Sequence, residues 1–435
     1  MLGGGTFTSQ NKILNGAYIN FISASKASSS LSDRGVAAMA LNLDWGCDNE
    51  IFEVLPADFR KHSLKIFGYS YDDPKMAGLR DLFQNIKKLY AYKLTSGGVK
   101  ANNTYCTAKY CGIRGNDIKT VITANADMPE RFDVKTYIGT YLVDEQLNAV
   151  NTSDLKPNDY VDWKAGVELN LTPGLSLSSG TNGEVNGGAH TAFLNKLESY
   201  SFNTLGLVST DDATKNLYAA FTKRMRDQNG MKFQCVLYDK AADYEGIINV
   251  KSDTVGSLSP ADLVYWVTGA EAGCAVNKTL LNSKYTGEFV VNTNHTQADL
   301  EVAMQKGEFM FHNVNGEPRV LADINSFITE TSEKSAEIFG ENQSVRVMDQ
   351  IANDIAVIFN NKYLGKIPND GAGRVSLWND IVKHHNQLQD IRAIEGFVPD
   401  DVIIRQGEKK NSVVVSDAVT IINAMAKLYM IVTVA

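Results

Sequence analysis

The sequence predicts a multidomain α/β protein: an α/β sheet domain with an inserted small all-β domain, followed by a C-terminal α+β domain. Three observations lead to this fold class. Apolar strand-like runs alternate with amphipathic helical patterns in two separate stretches of the chain. A stretch without helical periodicity, rich in turn residues, lies between them. Strand-like runs near both termini predict N- and C-terminal arm strands that complete the C-terminal domain.

These patterns divide the 435 residues into four parts. A chain of this length exceeds one hydrophobic core and ordinarily forms about three domains. We expect an N-terminal arm at 1–25, a discontinuous α/β domain at 26–95 and 190–326, the inserted β domain at 96–189, and a C-terminal domain with its arm at 327–435.

The first α/β stretch opens with a nearly continuous apolar run, Val36 to Leu43, which is typical of a strand covered on both faces. Amphipathic helices are predicted near Ala57 to Phe67 and near Lys75 to Ile86, and Leu89 to Leu94 is the next strand. This order of strand, helices and strand predicts a parallel sheet.

The inserted domain is predicted from short alternating runs between clusters of turn residues. Ile118 to Thr123, Arg131 to Thr140 and Tyr160 to Trp163 are the predicted strands. A turn-rich exit, Gly180 to Gly183, closes this stretch.

A strand–helix–strand crossover is predicted in the second α/β stretch. Its strands are Leu205 to Val208 and Phe233 to Tyr238, and Asp211 or Asp212 caps the helix between them. Further predicted elements are a helix from Ser259-Pro260 to about Cys274, a helix capped by Thr296, and strands at Glu308 to His312 and Arg319 to Asp323.

The C-terminal domain combines helices with short strands. Gly371-Ala372-Gly373 is predicted to form the turn between two helices, and Val402 to Arg405 and Val413 to Val415 are predicted strands. The apolar stripes of the two helices are Ile351, Ile355, Ile358 and Phe359, and Leu377, Ile381, Leu388 and Ile391.

Both ends of the chain carry strand-like runs joined to the body by polar sequence. A terminal strand that is apolar on both faces must be covered, or it recruits another chain. Two such strands can close a sheet within one chain or exchange between chains. The residues of these predicted arm strands are Tyr18, Ile19, Phe21 and Ile22, and Leu428, Tyr429, Met430, Ile431, Val432 and Val434.

The composition argues against several functional classes. The net charge of -8, without a Lys/Arg cluster, disfavours a general nucleic-acid-binding protein. No apolar run approaches the roughly 20 residues that span a bilayer, and the first ten residues lack the features of a signal peptide. We therefore expect a cytoplasmic protein without membrane insertion.

Residues that could perform metal or thiol chemistry lack the required spacing. Asp72-Asp73 and Asp211-Asp212 fit capping and turn roles better than cation binding. His384 falls on an apolar helical stripe, which favours a packed, hydrogen-bonded core histidine over a metal ligand. The cysteines, predicted to be free and mostly buried, are Cys47, Cys106, Cys111, Cys235 and Cys274.

No glycine-rich phosphate loop lies between a strand and a helix, so we expect no cofactor, no metal and no catalytic residue. The alternative is an α/β enzyme or small-ligand-binding protein that uses the strand end at Ser209-Thr210-Asp211-Asp212, a position where open sheets often hold ligands. That segment has no glycine to admit a pyrophosphate.

Short blocks along almost the whole chain carry a family resemblance. They are Arg34 to Met39, Asp44-Trp45-Gly46, Thr107 to Ile118, Gly180 to Gly183, Trp266 to Gly273, Asp323 to Ser326 and Lys427 to Met430. In this order they resemble contractile tail sheath proteins, with kinship to the sheaths of phages and phage-like elements of Gram-positive bacteria.

The resemblance implies a structural protein, not an enzyme, that polymerises as a helical cylinder of stacked rings around a tail tube. It implies that the arm strands join neighbouring subunits while the cylinder contracts and drives the tube through a target cell envelope. The implied partners are other copies of the chain, the tail tube protein, and baseplate and tail-terminator proteins. The implied location is the tail of a virion, or a prophage particle or bacteriocin, after assembly in the host cytoplasm.

Overall fold

The computed structural model describes residues 31–434, which fall into two compact units. The first unit comprises 31–37, 81–87 and 201–434, and the second comprises 38–80 and 88–200. The predicted N-terminal arm at 1–25, with Tyr18, Ile19, Phe21 and Ile22, lies outside the described residues.

Helices and strands are mixed along the chain, which confirms the predicted multidomain α/β class. The α-helices are α1 (Pro56–Phe67), α2 (Ala77–Phe83), α3 (Gly187–Leu197), α4 (Asp212–Asp227), α5 (Leu263–Gly273), α6 (Gln297–Gln305), α7 (Ala336–Phe339), α8 (Asn342–Ile358) and α9 (Gly371–Asp390). The strands are β1 (Val36–Leu41), β2 (Ile51–Val54), β3 (Lys88–Lys93), β4 (Cys106–Ala108), β5 (Ile118–Ala124), β6 (Phe132–Ile138), β7 (Tyr141–Ala149), β8 (Val161–Trp163), β9 (Thr172–Ser176), β10 (Thr204–Leu207), β11 (Gln234–Tyr238), β12 (Ile247–Val250), β13 (Thr254–Val255), β14 (Val290–Val291), β15 (Glu308–Phe309), β16 (Phe311–Val314), β17 (Glu317–Val320), β18 (Ile394–Glu395), β19 (Ile403–Gln406), β20 (Val413–Ser416) and β21 (Thr420–Ile421).

The first unit contains parallel strands in the order β15-β12-β11-β10. Helix α4 connects β10 to β11, so the predicted crossover is confirmed. The side chain of Asp211 accepts a hydrogen bond from the backbone N–H of Thr214, which makes Asp211 the cap of α4. Helix α5 covers these strands with an apolar face that includes Val264, Trp266 and Val267. The sheet therefore has a dry, close-packed side.

The second unit differs from prediction in its short strands. The strand order is β1-β3-β2, and β2 pairs antiparallel with β3, so the expectation of purely parallel pairing in this stretch is wrong. Strand β2 has only four residues, which is too few to show a period.

The β-rich part of the second unit contains a four-stranded antiparallel sheet in the order β7-β6-β5-β9. Strand β7 was not predicted. Most of its side chains are at least partly exposed, and two register shifts interrupt its pairing with β6, so it lacks a clean alternation. The predicted strand from Arg131 to Thr140 ends at Ile138, where the chain turns back into β7.

Two connections of this β-rich part run side by side. The backbone N–H of Val99 donates to Thr181 O at 3.1 Å, and that of Thr181 donates to Val99 O at 3.0 Å. Next to them, the N–H of Gly183 donates to Thr95 O at 2.8 Å. A Cβ atom on Gly183 would lie 2.0 Å from Ser96 O, so the close approach of the two backbones requires glycine.

The C-terminal part of the first unit packs around helices α8 and α9. The predicted stripe of α9 is confirmed for Leu377, Ile381 and Leu388, which are buried in one apolar cluster. It is wrong for Ile391, which follows the last residue of the helix and is 36% exposed. The predicted turn at Gly371-Ala372-Gly373 is wrong: these residues form the first turn of α9. Asp370 caps that turn by accepting from the N–H of Gly373 at 2.7 Å.

We expect Gly183→Ala to destabilise the second unit by about 2 to 3 kcal/mol, because the added methyl group has no space beside Ser96 O. Urea denaturation of the full chain measures this loss. Gly187→Ala is the matched control, since a Cβ atom there meets nothing within 4 Å and the residue begins α3. Equal unfolding midpoints for the two variants would show that the close approach at Gly183 is not required.

Candidate functional site

The end of the chain exposes a continuous apolar segment. Within residues 31–434, the segment 422–434 has no regular secondary structure and pairs with no strand. The predicted strand from Leu428 to Val434 is therefore absent from the single chain. Its role as an intersubunit strand stays a prediction, since such a strand needs a partner from another copy. Within 428–434, the large apolar side chains are all at least 67% exposed, and they are Leu428, Tyr429, Met430, Ile431, Val432 and Val434.

Within the described part of the chain, the hydrogen bonds that anchor this segment are at its beginning. The N–H of Ile422 donates to Ala393 O at 3.0 Å, and Gln343 Nε2 donates to Ile422 O at 3.1 Å. The N–H of Ala424 donates to Gln343 Oε1 at 3.1 Å, and Ser344 Oγ donates to Asn423 Oδ1 at 3.0 Å. From Met425 onward the apolar side chains face solvent. Residues 422–424 are therefore the anchored root of the segment, and the residues that follow them form its uncovered apolar tail.

Short sheets of the same C-terminal region have open edges. Strands β19 and β20 form a two-stranded antiparallel sheet, as do β18 and β21. Among residues 31–434, each strand of such a pair has one side without a partner strand, and such a side can accept an added strand. On the hairpin β19–β20, the side chains of Ile403, Val414 and Val415 are exposed.

An apolar cavity of about 320 Å³ opens beside the hairpin β19–β20. Phe359, Tyr363 and Leu377 contribute to its wall from the helices, and Val413 contributes from β20. The cavity is therefore next to a sheet edge that could receive another strand.

The first described residues of the chain are anchored to α8 and α5. Ser32 Oγ donates to Asp354 Oδ1 at 2.5 Å, and Gln350 Nε2 donates to Ser32 Oγ at 2.7 Å. The guanidinium of Arg34 donates to the carbonyl oxygens of Glu271 and Cys274, at 3.0 and 2.8 Å, at the C-terminal end of α5. Helix α8 thus holds the beginning of the C-terminal segment at one end and the N-terminal side of the body at the other.

The more deeply buried face of α8 is polar. The predicted apolar stripe of this helix packs in the C-terminal apolar cluster, with Ile358 buried and Ile351, Ile355 and Phe359 partly buried. The polar side chains of α8 that are at least nine-tenths buried are Asn342, Gln343, Ser344, Arg346, Asp349, Gln350 and Asp354. A sequence signal existed, because this face is rich in Asn, Gln and Ser and contains no Lys or Glu, the residues most typical of a solvated helix face.

A buried ionic cluster secures the middle of α8. Arg346 donates to Glu271 Oε2 and, at 2.6 Å, to Asp323 Oδ2, and all three side chains are at most 1% exposed. Burial opposes the charge of Asp323, but the Arg346 guanidinium outweighs it and lowers the pKa of that carboxyl to about 2. Burial and the neighbouring charge of Asp323 raise the pKa of Glu271 well above its usual range. The negative charge therefore resides on Asp323.

A second buried ion pair joins α4 to α8. Arg226 donates to both carboxylate oxygens of Asp349, at 2.7 and 2.8 Å. The two side chains are 4% and 9% exposed. Bidentate geometry of this kind fixes orientation as well as distance.

The remaining candidate residues have structural partners. Asp211 caps α4, and Asp212 pairs with Lys215 at 2.8 Å. Both carboxylates at the strand end 209–212, the alternative ligand site, therefore stabilise the first turn of α4. All five cysteines are free, and all but Cys47 are buried, as predicted. His384 is fully buried and hydrogen bonded to Asp354, which confirms the prediction of a packed core histidine.

Across residues 31–434, no group of three or more His, Cys, Asp or Glu side chains has a geometry suited to a metal ion. Over the same range, no helix is both long and apolar enough to cross a bilayer.

We expect Arg346→Met to lower the free energy of unfolding by about 3 to 5 kcal/mol, because it leaves the buried charge of Asp323 without its cationic partner. The lowered pKa of Asp323 contributes stability at neutral pH that is lost as the pH falls from about 4 towards 2, and this loss is expected to vanish in the variant. Urea denaturation at several pH values measures both effects.

Lys251→Met is the matched control for Arg346→Met. It breaks an ion pair of 2.7 Å to Asp239 whose side chains are 40% and 47% exposed, for which we expect a loss below about 1 kcal/mol. Similar losses in the two variants would contradict a special role for the buried cluster.

Models of tail sheath families match most of the chain. The central domain of phage tail sheath proteins matches residues 183–326, and the C-terminal domain matches 334–435. The β-sandwich domain of phage tail sheath proteins matches 91–182, and the N-terminal region of domain III of the tail sheath protein Gp18 matches 34–94.

Similar proteins and solved structures agree with these matches. The phage-like element PBSX protein XkdK of Bacillus subtilis is 33% identical over 98% of this chain and 99% of its own length. A sheath tail protein of Desulfitobacterium hafniense has a TM-score of 0.79 and 35% identity, covering 90% of this chain and 93% of the other.

A more distant neighbour extends the likeness in fold. A chain of the anti-feeding prophage helical sheath in its contracted state has a TM-score of 0.58 at 12% identity, over 96% of this chain and 98% of the other. The structural resemblance thus covers the same chain that the family models match. The expected kinship is confirmed, and the chain belongs to the phage tail sheath protein family.

Proposed function

We propose that this protein is a structural subunit of a contractile tail sheath. It polymerises into a helical cylinder of stacked rings around a tail tube and shortens to drive the tube through the envelope of a target cell. The observation that carries this proposal is the anchored C-terminal segment, whose apolar tail is uncovered while sheet edges in the same region are open.

Strand addition between copies accounts for both features. The tail of one subunit joins an open edge of β19–β20 or β18–β21 in another, where main-chain hydrogen bonds supply affinity and the neighbouring cavity accepts a side chain. The N-terminal run with Tyr18, Ile19, Phe21 and Ile22 acts in the same way. A head-to-tail contact that does not close produces a helical filament, which is the symmetry a sheath needs.

Burial of the tail provides a driving force for this linkage. Complete burial of a large apolar side chain is worth about 1.5 to 3 kcal/mol before the entropy of association is subtracted. The six apolar side chains of the tail therefore supply enough free energy to order the segment against a neighbour. Flexible connections beyond residue 424 let the subunit bodies rotate while the strands stay paired.

Contraction requires no nucleotide in this scheme. The extended cylinder is a kinetically trapped state assembled on the tube, and contraction buries more surface between subunits. A gain of a few kcal/mol per subunit is sufficient when many subunits switch together.

The partners of the chain follow from the proposed assembly. They are other copies of the chain, the tail tube protein, and baseplate and tail-terminator proteins, and the proposal includes no enzymatic activity. Assembly takes place in the host cytoplasm, and the product is the tail of a virion or a phage tail-like particle. Within the subunit, the proposed domains are 1–25, 26–95 with 190–326, 96–189, and 327–435.

We expect deletion of Leu428 to Ala435 to leave a folded monomer that cannot polymerise, because the apolar strand that links copies is lost. Negative-stain electron microscopy of the concentrated full-length protein is expected to show hollow striated cylinders, and the deletion variant is expected to show none. Circular dichroism of the variant checks that its body remains folded.

A substitution control separates the apolar strand from simple chain length. Replacing residues 428–434 with a Gly/Ser sequence of equal length preserves the tether and removes the strand. Cylinders formed by either variant would rule out linkage through the C-terminal arm.

A further inference from the structure

Two adjacent histidines in α9 form the centre of a buried hydrogen-bonded chain. His384 and His385 are both 0% exposed, and their Nδ1 atoms lie 3.2 Å apart. His384 Nε2 lies 3.0 Å from Asp354 Oδ2, and His385 Nε2 lies 2.7 Å from Asp417 Oδ2. Four side chains are thus connected in the order Asp354, His384, His385, Asp417.

The geometry determines how many protons these four hydrogen-bonded side chains hold. Each of its three hydrogen bonds needs one proton between its two heavy atoms. Two ionised carboxylates and two neutral imidazoles carry only two such protons, so one contact would bring two lone pairs together. Simultaneous satisfaction of all three bonds requires one further proton. With both carboxylates ionised, this proton makes one imidazole a cation.

The two ends of this hydrogen-bonded series of side chains, Asp354 and Asp417, are connected to the terminal segments of the protein. Asp354 accepts from the Oγ of Ser32 at 2.5 Å and from Gln350 Nε2 at 2.7 Å. Asp417 precedes β21, which pairs with β18 and leads directly into the anchored residues 422–424. The histidine pair therefore lies between the N-terminal side of the body and the root of the C-terminal segment.

We propose that His384 and His385 are positioning residues that hold one shared excess proton, and that this proton fixes the roots of both terminal segments on the α8–α9 pair. The use of these segments as arms between subunits rests on the function proposed above. The proton itself is a property of the single chain.

The Asp354 end of the hydrogen-bonded chain is held in its charged form. Burial works against the charge of Asp354, but hydrogen bonds from His384, Ser32 and Gln350 outweigh it and lower the pKa of that carboxyl. Asp354 thus stays ionised and faces the pair from α8, while Asp417 faces it from the segment after β20.

The other groups near the pair do not compete for the proton. The Phe397 ring packs 5.1 Å from the His385 ring, and Lys383 on α9 is exposed. The Asp417 side chain is 25% exposed, so protons can exchange with solvent at that end.

The excess proton gives the root of the C-terminal segment a pH dependence of defined sign. Above about pH 7 both imidazoles are neutral in an unfolded chain, so the folded state binds one more proton. Stability therefore falls as the pH rises and the proton leaves. A fourth proton on the pair at low pH also breaks the hydrogen bond between the two histidines, because two N–H groups would then face each other.

Asp417→Asn tests the proposal without changing the shape of the site. The amide N–H donates to His385 Nε2, His385 Nδ1 then donates to His384 Nδ1, and His384 Nε2 donates to Asp354. All three bonds are satisfied with two neutral histidines, so the variant no longer needs the excess proton.

The readout is hydrogen–deuterium exchange of the full-length chain between pH 7 and 9, corrected for the intrinsic rate. The backbone N–H groups of Ile422 and Ala424 donate to Ala393 O and Gln343 Oε1 and report on the root of the segment. As the pH rises, we expect the protection of these amides in the wild type to fall more steeply than in Asp417→Asn. The difference is up to about tenfold per pH unit, which is the largest slope that the loss of one proton can produce.

Asp390→Asn, an exposed carboxylate at the end of α9, is the control with the same chemical change and is expected to follow the wild type. Nitrogen-15 NMR of labelled histidines provides a second readout, which counts the N–H groups on His384 and His385. We expect three N–H groups in the wild type and two in Asp417→Asn. The proposal would be overturned if amide protection had the same pH slope in the wild type and in Asp417→Asn, or if the wild-type pair carried only two N–H groups. Neither readout requires polymerisation, so a failure to form cylinders would count against the proposed function alone.

Discussion

The buried polar face of α8 is the constraint on which the C-terminal region depends. Arg346 binds Asp323 and Glu271, Asp349 binds Arg226, and Asp354 binds Ser32. Buried polar groups cost free energy unless each finds a partner, so these contacts allow few alternative arrangements of the surrounding elements. A purely apolar face is less selective, whereas these ion pairs and hydrogen bonds favour one register of the helix.

This constraint also fixes the place at which the C-terminal segment leaves the body. Gln343, which binds both Ile422 and Ala424, belongs to the first turn of α8, one turn before the ionic cluster at Arg346. The position at which the apolar tail leaves the body is therefore determined by the same helix that anchors the N-terminal side through Gln350 and Asp354. In the proposed sheath, force applied to either arm reaches one well-fixed helix, and the tail beyond it remains free to pair with another subunit.

Sequence patterns predicted the elements whose environment is simple. The crossover β10–α4–β11 and the stripe of α9 follow from apolar periodicity, since each buries one face against a dry partner. Strand β2 and strand β7 escaped prediction because short or largely exposed strands do not alternate. The first turn of α9 was misassigned, since its glycines favour a turn unless a cap such as Asp370 stabilises the helix.

The sequence by itself determined the α/β class, the sheath family, the free cysteines and the buried character of His384. Each of these depends on local pattern or on resemblance along the chain. Only the tertiary structure decided that α8 buries its polar face and that Asp354 and Asp417, 63 positions apart in the numbering, meet the same histidine pair. The physical reason is that partners of buried polar groups come from distant parts of the chain, and no local periodicity records them.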